Sequence, residues 1–140
     1  MIKGFDHYAI TVADMEATLA FYRDVLGAEI LWEKQWREGK MPVFSMQLGV
    51  NRMNVHPASK PMSPHARQPM PGSADFCFRW EGPIAHAAAL LEKHGVAIED
   101  GPVPRPAADG NWGQSVYFRD PDGNLLEFLS TFEPPAQRRI

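Results

Sequence analysis

From Phe5 to Ala13 the chain reads FDHYAITVA, apolar residues alternating with polar or small ones at a period of two, as in a half-buried strand. The period then lengthens. Asp14 stands where a helix N-cap belongs, and Met15, Leu19, Tyr22 and Leu26 mark one face of a helix that Gly27 ends at its C′ position. Residues 28–36 (AEILWEKQW) and 42–48 (PVFSMQL) return to strand-like text around the turn Glu38-Gly39-Lys40, and residues 51–56 (NRMNVH) predict a further short strand. The first half thus predicts β-α-β-β-β.

The second half repeats that order. Residues 73–80 (SADFCFRW) read as a strand, Pro83 opens a helix at its tolerated first position, and IAHAAALLEKH runs on to Gly95. Val96 to Glu99 predicts a short strand, Gly101 to Gln114 a Pro/Gly-rich loop, and QSVYFR with NLLEFLS a hairpin across the turn Asp120-Pro121-Asp122-Gly123. Spacings repeat too: His7 and His56 stand 49 positions apart, Asp75 and Glu127 stand 52 apart, and the helix ends echo one another as LGAEI and HGVAI. An internal duplication within one domain, 1–140, follows, with modules at about 3–56 and 73–130. One helix and one small sheet hardly bury a face alone, so the modules are expected to pair within or between subunits, with the ligand in a cleft between repeats.

Composition narrows the function classes. The chain has 140 residues, 44% hydrophobic and 22% charged, with no apolar run near the roughly 20 residues that span a bilayer, so no membrane role is expected. The opening MIKGFDHYAITVADME lacks the apolar stretch of a secretory signal and Cys77 is the single cysteine, which together predict a cytoplasmic protein without disulfides. Net charge is −3 and the densest basic cluster is Arg138-Arg139, which argues against nucleic acid and leaves a small molecule as the expected partner.

Two stretches, DHYAITVADMEATLAFYRDVLGAE and YFRDPDGNLLEF, resemble the vicinal oxygen chelate superfamily: glyoxalase I, extradiol dioxygenases, fosfomycin and bleomycin resistance proteins, methylmalonyl-CoA epimerase. The resemblance runs from Phe5 to Ser130. It implies an α+β fold in which two βαβββ modules form a curved mixed sheet around a divalent metal, and it places ligands in the first and last strands of each module. Carried onto this chain, those places are His7, His56 and Glu127, with Asp75 as a fourth candidate. Strand alternation agrees, setting His7 with Ala9 and Thr11, His56 with Asn54, and Glu127 with Leu125 and Leu129. Two imidazoles and a carboxylate suit Fe(II), Mn(II), Ni(II) or Zn(II), and the ion's charge would offset the burial of Glu127 within LLEFL.

The resemblance also matches Tyr117 to a substrate-binding tyrosine of the dioxygenase motif, on a strand face shared with Ser115 and Arg119. Asp120 and Gly123 read as turn residues without a catalytic role. In the loops, Arg105, Asn111 and Trp112 are expected to clamp an anionic or planar substrate, with His65 and Arg67 over it, while His86 and His94 face solvent. The pattern departs from its relatives at three places: Asp75 stands where histidine is usual, His56 stands where glyoxalase I has glutamate, and Ala108-Asp109-Gly110 occupies the place of the dioxygenase acid–base histidine. A metal-dependent lyase or isomerase of the glyoxalase kind, acting as a homodimer with Glu127 or Asp75 as proton shuttle, is therefore the favoured expectation. An Fe(II)-dependent extradiol dioxygenase and a non-catalytic drug-binding resistance protein are the alternatives.

Overall fold

The structure is a computed structural model and describes residues 1–136, so Arg138 and Arg139 lie outside the described residues. The chain divides into two compact units, Met1–Ala74 and Asp75–Ile140. Among the described residues no helix is long and apolar enough to cross a membrane.

In the first unit, strands β1 (Tyr8–Val12), β2 (Glu29–Leu31), β3 (Phe44–Leu48) and β4 (Asn51–Pro57) form one mixed sheet in the order β1-β4-β3-β2. The β1–β4 pair is parallel and the other pairs are antiparallel. Helix α1 (Met15–Asp24) makes the crossover, and Asp14 caps it by accepting a hydrogen bond from the Ala17 N–H at 3.1 Å. Its Leu19 and Tyr22 are buried with Ile10, Val12, Phe44, Met46, Met53 and Val55, which alternation places on one face of the sheet. The other face carries Ala9, Thr11, Asn54 and His56.

The predicted strand over 28–36 is shorter than its pattern suggests. It stops at Leu31, and Glu33–Arg37 forms the short helix α2. Trp32, at φ 65°, turns the chain out of the sheet, and Trp36 then packs edge-on against Phe44 with ring centroids 5.0 Å apart. Glu33, Lys34 and Gln35 are good helix formers, and the Arg37 guanidinium pairs with Glu33 within the helix at 2.8 Å and ties the helix to Glu16 of α1.

The second unit repeats the plan with β5 (Asp75–Arg79), α3 (Ile84–Lys93), β6 (Asp100–Pro106), β7 (Trp112–Arg119) and β8 (Leu125–Ser130), ordered β5-β8-β7-β6. Pro83 is the N-cap of α3 rather than its first residue. Ile84, Ala87 and Leu91 of α3 are buried, as are Val116, Phe118, Leu126 and Phe128 on one sheet face.

The other correction concerns the strand expected at 96–99 and the loop expected at 101–114. The strand begins at Asp100 and runs through GPVPRP, paired antiparallel with β7. Prolines usually exclude a strand, but β6 lies at the sheet edge, and Pro102, Pro104 and Pro106 alternate so that their missing N–H groups fall on one side.

Candidate functional site

The open face of the first sheet forms the floor of a cavity of about 460 Å³. His7, Ala9, Thr11, Asn54 and His56 line it from the sheet, as alternation requires. The loop that follows β4 folds back over this floor, with Pro61, Met62, Pro64 and His65 as its wall. Proline fixes backbone φ, so this wall is stiffer than an equally long loop of other residues. His65 thus faces the cavity, with its Nδ1 2.7 Å from the Ala66 carbonyl oxygen, whereas Arg67 is exposed and forms no part of the lining.

His7 sits one residue before β1, half exposed, its Nδ1 2.8 Å from an Asp6 carboxylate oxygen. His56 is more enclosed. Burial, and secondarily the nearby His7, hold its imidazole below the ordinary histidine pKa. In the parallel register His56 lies opposite Thr11, and Asn54 opposite Ala9.

The corresponding face of the second sheet carries a different set. Glu127 lies between Cys77 on β5 and Tyr117 on β7 in the ladder, so all three point to one side. A cavity of about 510 Å³ opens over them, lined also by Arg79, Arg105 and Ala107. Arg105 Nε donates to the Tyr117 hydroxyl oxygen at 2.9 Å, and the guanidinium lies 5.5 Å from the centre of the tyrosine ring. Tyr117 is pushed above the ordinary tyrosine pKa by burial, with Glu127 adding to the rise and Arg105 opposing it. Cys77 is exposed as a residue, yet its thiol is crowded enough that burial, followed by the Glu127 charge, pushes it up to about 12. The thiol is therefore protonated and a hydrogen-bond donor to the carboxylate.

Of the predicted substrate-binding residues, Arg105 and Tyr117 line this cavity, whereas Asn111 and Trp112 lie at the β6–β7 turn outside its lining. Ser115 shares the Tyr117 face but is fully buried, with its hydroxyl unpaired among the described residues. Asp75 is exposed at the first position of β5 and is also outside the lining. His86 and His94 are exposed, on α3 and at its C-cap. Asp109, where the dioxygenase histidine would stand, is held below the ordinary carboxylate pKa by the Asn111 backbone N–H and by Arg79. Sequence reasoning gave no functional role to Cys77 or Asn54. The signal for Cys77 was its two-residue offset from Asp75, readable once Glu127 is placed opposite it.

Each face offers a partial ligand set: two imidazoles on the first, a carboxylate beside a protonated thiol on the second. Among the described residues no group of three or more His, Cys, Asp or Glu side chains is arranged to hold a metal ion. What the second face offers within itself is proton handling, since a carboxylate faces a tyrosine hydroxyl whose oxygen is already engaged by an arginine.

The family model described as Glyoxalase/Bleomycin resistance protein/Dioxygenase superfamily matches residues 4–128. Virulence protein STM3117 of Salmonella typhimurium is 38% identical over 127 residues, covering 91% of this chain and 83% of that protein. Its crystal structure covers 93% of this chain and 98% of its own, with a TM-score of 0.82 and 36% identity. Glyoxalase domain-containing protein RDO1 of Mycosarcoma maydis is 37% identical over 129 residues, 92% of this chain and 69% of that one. At the level of fold alone, with 21% identity and a TM-score of 0.62, the chain is similar to a point mutant of the fosfomycin resistance protein FosX from Listeria monocytogenes, solved with Mn(II) and 1S,2S-dihydroxypropylphosphonic acid; the match covers 92% of this chain and 90% of that one.

Proposed function

Because the chain belongs to the Glyoxalase/Bleomycin resistance protein/Dioxygenase superfamily, we propose that it is an enzyme acting on a small molecule with two vicinal oxygens, in a lyase or isomerase reaction of the glyoxalase kind. The observation that carries this reading is the row Arg105–Tyr117–Glu127 over an open cavity. Glu127 is the proton shuttle, taking a proton from the carbon or hydroxyl next to a carbonyl and returning it to the neighbouring atom. Tyr117 orients a substrate oxygen. Arg105 holds the tyrosine hydroxyl from its acceptor side, so the phenolic proton remains available for Glu127 or the substrate.

A divalent ion, Fe(II), Mn(II), Ni(II) or Zn(II), is the proposed cofactor, with His7, His56 and Glu127 as ligands and Asp75 as a fourth. When bound, it would act as a Lewis acid on a substrate oxygen. Among the described residues no three donors are grouped to hold a metal ion, so the proton steps above are assigned to the chain's own residues. The same reading makes the protein a cytoplasmic homodimer.

A second reading, a non-catalytic small-molecule binder, is favoured by the lack of a three-donor group among the described residues. Turnover and metal content separate the two. Protein purified without chelators should contain stoichiometric divalent metal that His7→Ala removes, and Glu127→Gln should lower kcat by roughly 10²–10⁴-fold while the fold persists. Full turnover in Glu127→Gln rejects the proton-shuttle role, and ligand binding without turnover or metal establishes the binder. Oxygen uptake coupled to turnover would instead identify a dioxygenase.

A further inference from the structure

The second cavity carries more cationic donors than the protein itself uses. Arg79 is the last residue of β5 and Arg105 stands on the edge strand β6, and both line the cavity with Tyr117 and Glu127. Arg79 commits one nitrogen: its Nη2 donates to an Asp109 carboxylate oxygen at 3.2 Å and to the Thr131 hydroxyl at 2.6 Å. Asp109 is itself fixed, accepting the Asn111 backbone N–H at 2.9 Å. The Arg79 Nε and Nη1 find no acceptor among the described residues, and the side chain is 47% exposed, so they are within reach of a ligand. Arg105 is held at two nitrogens, Nε on the Tyr117 hydroxyl at 2.9 Å and Nη1 on the Pro104 carbonyl oxygen at 2.8 Å, which leaves Nη2 uncommitted.

Charge and shape narrow what those donors can hold. A guanidinium keeps its proton, and a planar carboxylate matches its paired N–H groups. Because both side chains are already anchored, less rotamer entropy is lost when a ligand binds them. Glu127 is the acidic side chain of the lining, so two cations face one anion there, with Asp109 partly offsetting Arg79 from outside it. A ligand with a second negative charge would meet the repulsion of Glu127. Leu129, Ala107 and Ala108 supply an apolar wall for the rest of the molecule.

We propose that this cavity binds a small molecule bearing a carboxylate, whose oxygens accept hydrogen bonds from the free N–H groups of Arg79 and Arg105 while its body lies along Leu129, Ala107 and Ala108. Arg79, which no sequence pattern singled out, is then a specificity-determining residue. This inference rests on the reading of the second cavity as the substrate site, and it adds a single negative charge to what that site takes.

The test titrates benzoate, benzyl alcohol and phenylphosphonate into the full-length protein by calorimetry, at a pH where the phosphonate carries two charges, and follows the arginine Nε–H resonances by NMR. Benzoate should bind about tenfold more tightly than the neutral alcohol, the scale of one charge-assisted hydrogen bond, and more tightly than phenylphosphonate. Benzoate should shift the Nε–H signals of Arg79 and Arg105 and leave that of Arg119, which is paired with Glu99, in place. Arg79→Gln and Arg105→Gln should each weaken benzoate about tenfold and the alcohol by less than about twofold. Arg52→Gln, which removes an exposed cation of the first unit, should weaken neither. Equal affinity for benzoate and the alcohol, unmoved Arg79 and Arg105 signals, or equal weakening by Arg52→Gln overturns the proposal, as does tighter binding of phenylphosphonate. The NMR measurement on the wild-type protein decides even where a substitution prevents folding. Because binding is read without turnover, failure here is distinct from failure of the proton-shuttle reading, which shows as full activity in Glu127→Gln.

Discussion

The two sheets share strand order and pairing, with parallel outer pairs β1–β4 and β5–β8 and a helix over one face, yet their open faces carry different side chains. The first presents imidazoles and a neutral amide beneath a proline wall; the second presents a carboxylate, a tyrosine, an arginine and a protonated thiol. The contrast follows from what each position does for the fold. Helix-side positions are held by packing, so both repeats keep large apolar residues there. Open-face positions answer only to what binds, and have diverged.

The sharpest structural difference lies in how closely backbone approaches backbone. In the second sheet a Cβ on Gly113 would lie 2.2 Å from the Ser130 carbonyl oxygen, and one on Gly101, at φ 105°, equally close to the Ser115 carbonyl oxygen. Gly49 in the β3–β4 turn of the first sheet also has positive φ, 59°, but its Cβ would meet nothing within 4 Å. Gly101→Ala and Gly113→Ala should each destabilise by about 3 kcal/mol or more in denaturant titration, against about 1 kcal/mol for Gly49→Ala. Equal costs would mean that the crowding in the second sheet is relieved by easy backbone movement.

The hairpin turns differ next. Asp120, buried, accepts from the backbone N–H groups of Asp122 and Asn124 and from the Asn124 amide at 2.8 Å, so Asp120→Ala should cost about 2–4 kcal/mol, seen as a lower Tm. Val50, at the tip of the first hairpin and 94% exposed, should tolerate Ala within about 0.5 kcal/mol.

The smallest effect concerns the imidazoles. In metal-free protein His56 should titrate below the ordinary histidine value of 6.5 in an NMR pH series, and His7→Ala should raise it part of the way back, because burial is the larger cause and remains. The folded state then binds fewer protons than the unfolded chain just below pH 6.5, so this contribution to stability is full above 6.5 and falls as pH drops through the lowered pKa. A His56 titration unmoved by His7→Ala would show that the two rings do not sense each other.

Much of this was legible in the chain. Alternation in FDHYAITVA, the Asp14 cap, the glycine stops and the DPDG turn depend on neighbours in sequence, and each formed where local chemistry directs. Trp32–Arg37 and Gly101–Pro106 misled, because a tryptophan at positive φ and a proline-bearing edge strand make sense only against the packing and sheet position that accept them. The candidate residues divide in the same way. Sequence alone indicated the repeated order of elements, the family and the faces of β1, β4, β7 and β8, since the first and last rest on period and the family on two motif stretches. Only the tertiary structure decided that Cys77 and Tyr117 flank Glu127, that Arg105 reaches Tyr117, and that the Asn54 Oδ1 finds no hydrogen-bond partner among the described residues, because strand register joins residues that no local pattern connects.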